Sequence, residues 1–279
     1  MADRFEYETW DHGRLQVNRQ FAGVLQASAL TTFEALFNWP QGEVVREVGG
    51  RRTTRIVLNY DDREQSFFVK RHARPKLSDR LRPLIHLSWP VLGARNEWNA
   101  ILSFHAAGIP TMTPAVLGES QGRSLIMTLD LRSERSLLDW FEAAWHAESG
   151  AGPRAATIPP ARRELISRVA QIARRMHESG LHHQDFYLNH LLCCGDAVEP
   201  AIHVIDLGRV RQRAKVSRRW IAKDLAQLDF SARGLSCREK LMFLRLYLGR
   251  PFRSQDRWLV RWIALKSGHI ASHTAKYGL

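Results

Sequence analysis

A chain of 279 residues with 44% hydrophobic content, nine Trp and twelve Phe can bury a sizeable core, in one large domain or two lobes. Its 41 Lys and Arg against 28 Asp and Glu leave a net charge of +13, which favours anionic partners (nucleic acid, phosphorylated sugars or an acidic membrane face) and says nothing about fold. Three cysteines, Cys193, Cys194 and Cys237, argue against a disulfide framework and for a reducing compartment, and no Cys-x-x-Cys suggests structural zinc.

At the N-terminus, "MADRFEYETWDHGR" lacks the apolar centre of a secretory leader, and no stretch reaches the roughly 18 apolar residues of a spanning helix. A cytoplasmic protein is expected. "TTFEALF" carries Thr31 and Glu34 at capping-box spacing and predicts a short helix. "EVVREVGG", "RRTTRIVLNY" and "QSFFVKR" are β-branched or aromatic runs separated by Gly49-Gly50 and Asp61-Asp62, the pattern of a meander. Residues 71–93 are irregular, with prolines at 75, 83 and 90. "ARNEWNAILSFHAAG" reads as a helix with Trp98, Ile101 and Leu102 on one face and Gly108 as its stop. "PAVLGE" and "RSLIMTL" predict another strand pair, and "SLLDWFEAAWHAE" another helix. "SGAGPRAATIPP" reads as a surface loop. From Ala161 to Gly180 the residues Leu165, Val169, Ile172 and Met176 recur at helical spacing. "AIHVIDLG" predicts a short strand, followed by helices near 217–230, 237–248 and 256–268; the second opens on Ser236 and Glu239 in capping-box spacing. The expected class is α+β. A small β-rich N-lobe (1–130) would carry one important helix, and a larger helical C-lobe (131–279) would follow.

Five groups then stand in an order that chemistry recognises. A phosphoryl-transfer site of the protein-kinase type needs a strand lysine for the nucleotide phosphates and a helix glutamate to position it. It also needs a loop aspartate to orient the attacking hydroxyl, a metal-binding side chain five residues later, and a second aspartate for Mg²⁺. Lys70 in "FFVK", Glu97 in "ARNEW", Asp185 in "HHQD", His190 and Asp206 in "VIDLG" fill these places. Singly, each has a plainer reading: a lysine reaching solvent, a misplaced buried glutamate, a turn aspartate, a strand-end cap. A Lys70–Glu97 pair removes the cost of an unpaired buried charge, on the order of 3–5 kcal/mol. Asp206 offers the oxygen that Mg²⁺ demands. Imidazole is a poor Mg²⁺ ligand, so His190 has three roles open: metal, Asp185 or phosphate. Gly49-Gly50 could be a plain hairpin turn, or could let backbone N–H groups approach phosphate. His182 and His183 are expected to pack or fix the loop, and Asp224 in "KDLAQL" resembles the helix aspartate that braces the catalytic loop of kinases.

The motifs together resemble a family. "GLHHQDFYLNHLL", "HVIDLGRV" and "RRWIAKDLAQLDFS", with "EVGGRRTTR", "FFVKRH" and "PVLGARNEWNAI" before them, are similar to the lipopolysaccharide core heptose kinases, WaaP-type members of the kinase-like superfamily. Their loop form His-x-Asp-x-Tyr-x-x-His is met by His183, Asp185, Tyr187 and His190 over a match of roughly residues 43–250. Gln184 stands where kinase loops often have Arg, and Gly208 where relatives often have His. The resemblance implies a bilobal protein-kinase-like fold and transfer from ATP with Mg²⁺ to a heptose of the lipopolysaccharide inner core. Asp185 would be the catalytic residue. Gly49, Gly50, Lys70, Glu97, His190 and Asp206 would bind the nucleotide, with Asp206 and His190 at the metal. It also implies a station on the anionic inner-membrane surface.

Two basic stretches suit such a surface. Residues 70–93 place Arg71, Arg74, Lys76, Arg80 and Arg82 before an apolar run with Trp89, an order that suits a membrane interface or an insertion packed on the N-lobe; residues 209–223 hold seven cations and no acid directly after Asp206, a place that suits binding of an anionic acceptor. Other readings are a Kdo kinase, a protein kinase, a non-catalytic kinase-like scaffold and, on charge alone, a nucleic-acid binder. Only 18 residues separate Asp206 from Asp224, little room for a peptide-docking segment, and no zinc-finger or helix-turn-helix signature is present, so nucleic acid is not an expected partner.

Overall fold

A computed structural model describes residues 5–74, 93–132, 135–149, 158–194 and 201–277. The chain divides into two units. Unit 1 holds residues 1–106 and 111–131, and unit 2 holds residues 107–110 and 132–279.

Unit 1 is built on a seven-stranded antiparallel sheet. Its strands are β1 (Tyr7–Trp10), β2 (Leu15–Asn18), β3 (Glu43–Val48), β4 (Arg51–Tyr60), β5 (Arg63–His72), β6 (Pro114–Ser120) and β7 (Arg123–Leu129), in the spatial order β1-β2-β6-β7-β5-β4-β3. The alternation of "SFFVK" places Phe67 and Val69 in the core and leaves Lys70 partly exposed on the other face. Lys70 lies opposite Thr53 on β4 and Ile126 on β7, so it sits on a central strand with fixed register. The sheet packs on α1 (Ala22–Ala27) and α2 (Phe33–Phe37), and Phe21, Leu25, Phe33, Phe67 and Met127 meet in one cluster. The helix α3 (Arg95–Ala106) buries Trp98, Ile101 and Phe104.

Two readings change here. The cap of α2 is Thr32, whose Oγ1 accepts the Ala35 amide at 3.2 Å. A cap oxygen serves the amide three residues on, and in this helix that amide is Ala35. Arg71 leaves the set of surface cations: it is buried and donates to the Leu36 carbonyl and to Thr54 Oγ1. Burial, and then the charge of Arg52, lower its guanidinium to about 10. The rest of the basic-then-apolar segment from position 75 to position 92 lies outside the described residues, as do 150–157 of the expected Gly/Ala/Pro loop.

Unit 2 is mainly helical. It contains α4 (Leu137–Ser149), α5 (Pro160–Glu178), α6 (Arg218–Ser231), α7 (Cys237–Leu248) and α8 (Arg257–Tyr277). Two small sheets order its loops: β8 (Arg135–Ser136), β10 (Leu191–Cys194) and β11 (Ala201–Val204) form one, and β9 (Leu181–His182) with β12 (Arg211–Gln212) the other. The apolar line foreseen on α5 is buried. The box at the start of α7 is made in full, Ser236 Oγ meeting the Glu239 amide and Glu239 reaching back to the Ser236 amide. Between the helices lies an apolar cleft lined by Phe141, Val169, Leu225, Phe243 and Leu244, with the Lys240–Asp229 ion pair (2.7 Å) among its few polar groups.

Arg162 on α5 meets Glu239 on α7 at 2.8 Å, both side chains buried. Removing one partner of a buried pair leaves an uncompensated charge. Arg162→Met is expected to destabilise the protein by about 3–5 kcal/mol. Adding Glu239→Gln, which keeps the box but drops the charge, should recover more than half of that loss. Urea unfolding of the single and double variants checks both; equal stability of the two would show that the charge carries no cost.

Candidate active site

Unit 1 contributes an ion pair. Lys70 Nζ donates to Glu97 Oε1 at 2.7 Å, and the Glu97 side chain is almost wholly buried in the first turn of α3. A buried carboxylate needs such a partner, and it fixes the lysine on the exposed side of β5. Gly49 and Gly50 link β3 to β4 as a two-residue turn with φ of 55° and 77°. Both positions need left-handed backbone, so the turn by itself accounts for both glycines.

In unit 2 the stretch "HHQDFYLNHLL" is held by side chains of α6. Asp224, Gln227 and Ser231 lie on one face of that helix, at i, i+3 and i+7. The Asp224 carboxylate accepts the amides of His183 and Gln184, each at 2.8 Å. Gln227 Oε1 accepts the Phe186 amide at 3.0 Å, and its Nε2 donates to the Gln184 carbonyl at 2.6 Å. Ser231 Oγ accepts the Leu188 amide at 3.0 Å. These bonds allow Gln184 a φ of 71°, a left-handed conformation that costs a non-glycine residue about 1–2 kcal/mol. His177 Nε2 donates to Asp224 Oδ2 at 3.3 Å while its Nδ1 meets the Tyr247 hydroxyl at 2.9 Å. Burial opposes charge on Asp224, but the His177 bond and charge with the His183 amide outweigh it and leave the carboxyl below its ordinary value.

The loop histidines are fixing groups. His183 Nδ1 accepts the Asp185 amide at 3.2 Å, so its Nε2 carries the proton given to the Ile205 carbonyl at 3.0 Å. Burial holds it neutral by lowering its pKa. His182 stacks on Trp220 with ring centres 4.8 Å apart, and its Nε2 accepts from Arg213 Nε at 3.3 Å.

Asp185, His190 and Asp206 come together at the open side of this loop. His190 Nδ1 bonds the backbone carbonyl of Asp185 at 2.7 Å, not its carboxylate. A carbonyl only accepts, so Nδ1 bears the hydrogen and Nε2 is turned toward Asp206 Oδ2, 3.8 Å away. Asp206 adopts the left-handed region (φ 57°) and is 43% exposed at the side chain, which presents its oxygens outward. Among the described residues no three His, Cys, Asp or Glu side chains form a cluster that would hold a metal without other ligands. The Asp185 carboxylate itself is engaged by Arg209, whose Nη1 lies 3.0 and 3.1 Å from its two oxygens.

Residues 36–247 match the family described as the lipopolysaccharide kinase (Kdo/WaaP) family. The chain belongs to that family. This family member is 37% identical over 255 residues to an Escherichia coli K12 protein named lipopolysaccharide core heptose(I) kinase WaaP, covering 85% of this chain and 91% of the relative. It is 35% identical over 254 residues to the Pseudomonas aeruginosa protein of the same name, covering 85% and 90%. A solved structure described as WaaP in complex with acyl carrier protein superposes with a TM-score of 0.65 at 33% identity, over 85% of this chain and 95% of that one. The mixed α/β architecture, an antiparallel sheet and a mainly helical unit, agrees with the kinase-like class. Membership makes this family member a kinase, and ATP its phosphoryl donor. Among the described residues no helix is long and apolar enough to cross a membrane.

Taken alone, the sequence gives no sign of Gln227 and Ser231 as anchors of the loop, nor of the contact between Arg209 and Asp185. Arg209 looked like one cation among seven. The spacing of Gln227 and Ser231 from Asp224 was a signal, readable once α6 was placed beside the loop.

The neutral histidines predict a pH dependence. Burial, ahead of the opposing pull of Asp224, lowers His182 to about 4 from an ordinary value of 6.5. Between those values the unfolded chain binds a proton that the folded chain refuses. Stability should therefore be full above about pH 6.5, fall by up to roughly 3 kcal/mol toward pH 4, and level below. Urea unfolding at pH 7.5 and pH 5 measures the loss. His182→Phe, which can still stack on Trp220, should shrink it; His183 titrates in the same direction and keeps the remainder. An undiminished loss in His182→Phe would remove His182 from the account.

Proposed function

We propose that this chain transfers the γ-phosphoryl group of ATP to a hydroxyl of a heptose in the lipopolysaccharide core. The observation that carries the reading is the order and geometry of Lys70–Glu97, Asp185 and Asp206 in a chain 35–37% identical to three proteins named for that activity. Those names favour heptose over Kdo as acceptor. In this reading unit 1 is the phosphate-clamp lobe and unit 2 the catalytic lobe. Lys70, steadied by Glu97, binds donor phosphate oxygens, and the Gly49–Gly50 turn offers backbone N–H groups to them. Asp185 accepts the proton of the attacking hydroxyl and orients it in line. Asp206 fits Mg²⁺ by its exposed carboxylate oxygens, and His190 Nε2 stands beside it as a softer neighbour. When bound, the cation neutralises charge developing on the phosphates. A station on an anionic membrane face is supported by the +13 net charge and by residues 209–223.

The solved relative's description names acyl carrier protein, and the apolar cleft of unit 2 gives that partner a specific reading here: the chain binds acyl carrier protein with the acyl chain in the cleft.

Asp185→Asn is expected to keep the fold and nucleotide binding but lose about 10²–10⁴-fold in transfer. Lys70→Ala should instead raise the KM for ATP. Radiolabelled transfer from ATP to purified lipopolysaccharide core measures both, and near-wild-type transfer by Asp185→Asn would falsify the base assignment. For the second partner, acylated carrier protein should raise the melting temperature while the unacylated form does so less. Val169→Trp, which fills the cleft, should erase that difference. Equal shifts from both carrier forms would count against an acyl-binding cleft.

A further inference from the structure

The Asp185 carboxylate is covered in this structure by a side chain of its own unit. One guanidinium nitrogen of Arg209 straddles both oxygens at 3.0 and 3.1 Å, the place at which an acceptor hydroxyl must dock to give up its proton. The backbone of Arg209 is fixed to the loop, since its carbonyl accepts from Gln184 Nε2 at 2.8 Å. Its side chain is 49% exposed, and among the described residues no protein acceptor meets its Nε or Nη2. Further cations crowd the same place. Burial, then the charges of Arg209 and Arg213, lower the Arg211 guanidinium, and burial, then Arg209, lowers the Lys223 ammonium. At Lys223 the charges of Asp185 and Asp224 oppose this crowding, and of the two only Asp185 is partly open to solvent and paired with Arg209.

We propose that Arg209 selects the acceptor: it occupies Asp185 until an anionic group beside the reacting hydroxyl, a carboxylate or a phosphate, takes its guanidinium and uncovers the base. The proposal rests on Asp185 being the base of the reading above. An exposed ion pair is weak, so an incoming anion can exchange for the Asp185 carboxylate at small cost. A guanidinium suits both anions, since its planar fork pairs either through two N–H groups. An uncharged sugar brings nothing to replace the carboxylate on Arg209 and must compete with it for the Asp185 oxygens. Selection then arises at one residue, through a change of partner. The same chemistry could be supplied by the γ-phosphate of the donor, and the test separates the two sources.

The full chain is assayed with ATP and two acceptors: a heptoside whose adjoining sugar carries a carboxylate, and the methyl ester of the same compound. Wild type should favour the carboxylate in kcat/KM by about tenfold or more, the usual return on a charge-assisted contact. Arg209→Ala should bring the ratio to within about twofold, through a raised KM for the carboxylate form and a gain with the ester. Arg209→Lys, which keeps the charge without the fork, should fall between and guards against a folding defect in the alanine variant. An unchanged ratio in both variants overturns the proposal. So does a KM for ATP that rises equally with either acceptor, since the guanidinium would then serve the donor phosphate. If wild type phosphorylates neither compound while lipopolysaccharide core is turned over, selection by a local anion is wrong but the kinase reading stands. No transfer to any of the three fails both.

Discussion

The loop around Asp185 in unit 2 depends on one buried carboxylate. Asp224 is fully buried and accepts two consecutive amides, those of His183 and Gln184. A charge in that position is tolerable because three donors meet it, two from the backbone and one from His177. The direction of the loop follows from it. Two amides turned to one carboxylate force the left-handed turn at Gln184, and the next residue, Asp185, is thereby presented outward. Gln227 and Ser231 extend the same attachment down the loop, so Asp185 is placed by a helix rather than by the loop's own preference.

The arrangement of unit 1 solves a related problem differently. Glu97 is also a buried carboxylate, but its partner is a side-chain cation and not the backbone. A pair of that kind can share its lysine with an incoming anion, whereas the Asp224 bonds cannot be shared without losing the turn. The two carboxylates are alike in burial and different in what they hold: one fixes backbone, the other a partly exposed lysine.

Much of this was legible in the residues. Alternation in "SFFVK" and the Gly49–Gly50 turn define β3 to β5, and the Ser236–Glu239 box marks the start of α7. Lys70, Glu97, Asp185, His190 and Asp206 could be picked out because phosphoryl-transfer chemistry requires their order. Other features were not legible. The four-residue strands β1 and β2 are too short to show a period, and they form by pairing with each other and with β6. Arg71 reads as a surface cation because its buried acceptors, the Leu36 carbonyl and Thr54, lie far away in sequence. The contact of Arg209 with Asp185 spans 24 positions and has no local signature.

The attachment of the loop to α6 has a consequence for the order in which the protein matures. The amides of His183, Gln184, Phe186 and Leu188 find their acceptors 40 to 43 positions further along the chain. A nascent polypeptide that has emerged only as far as the Asp206 turn contains the loop and lacks the groups that shape it. Until Asp224 and Gln227 have left the ribosome, Gln184 has no partners to hold its strained backbone, and Asp185 has no fixed direction. The growing chain thus carries the loop before it carries what shapes it, and the loop's form arrives with a helix that is made later.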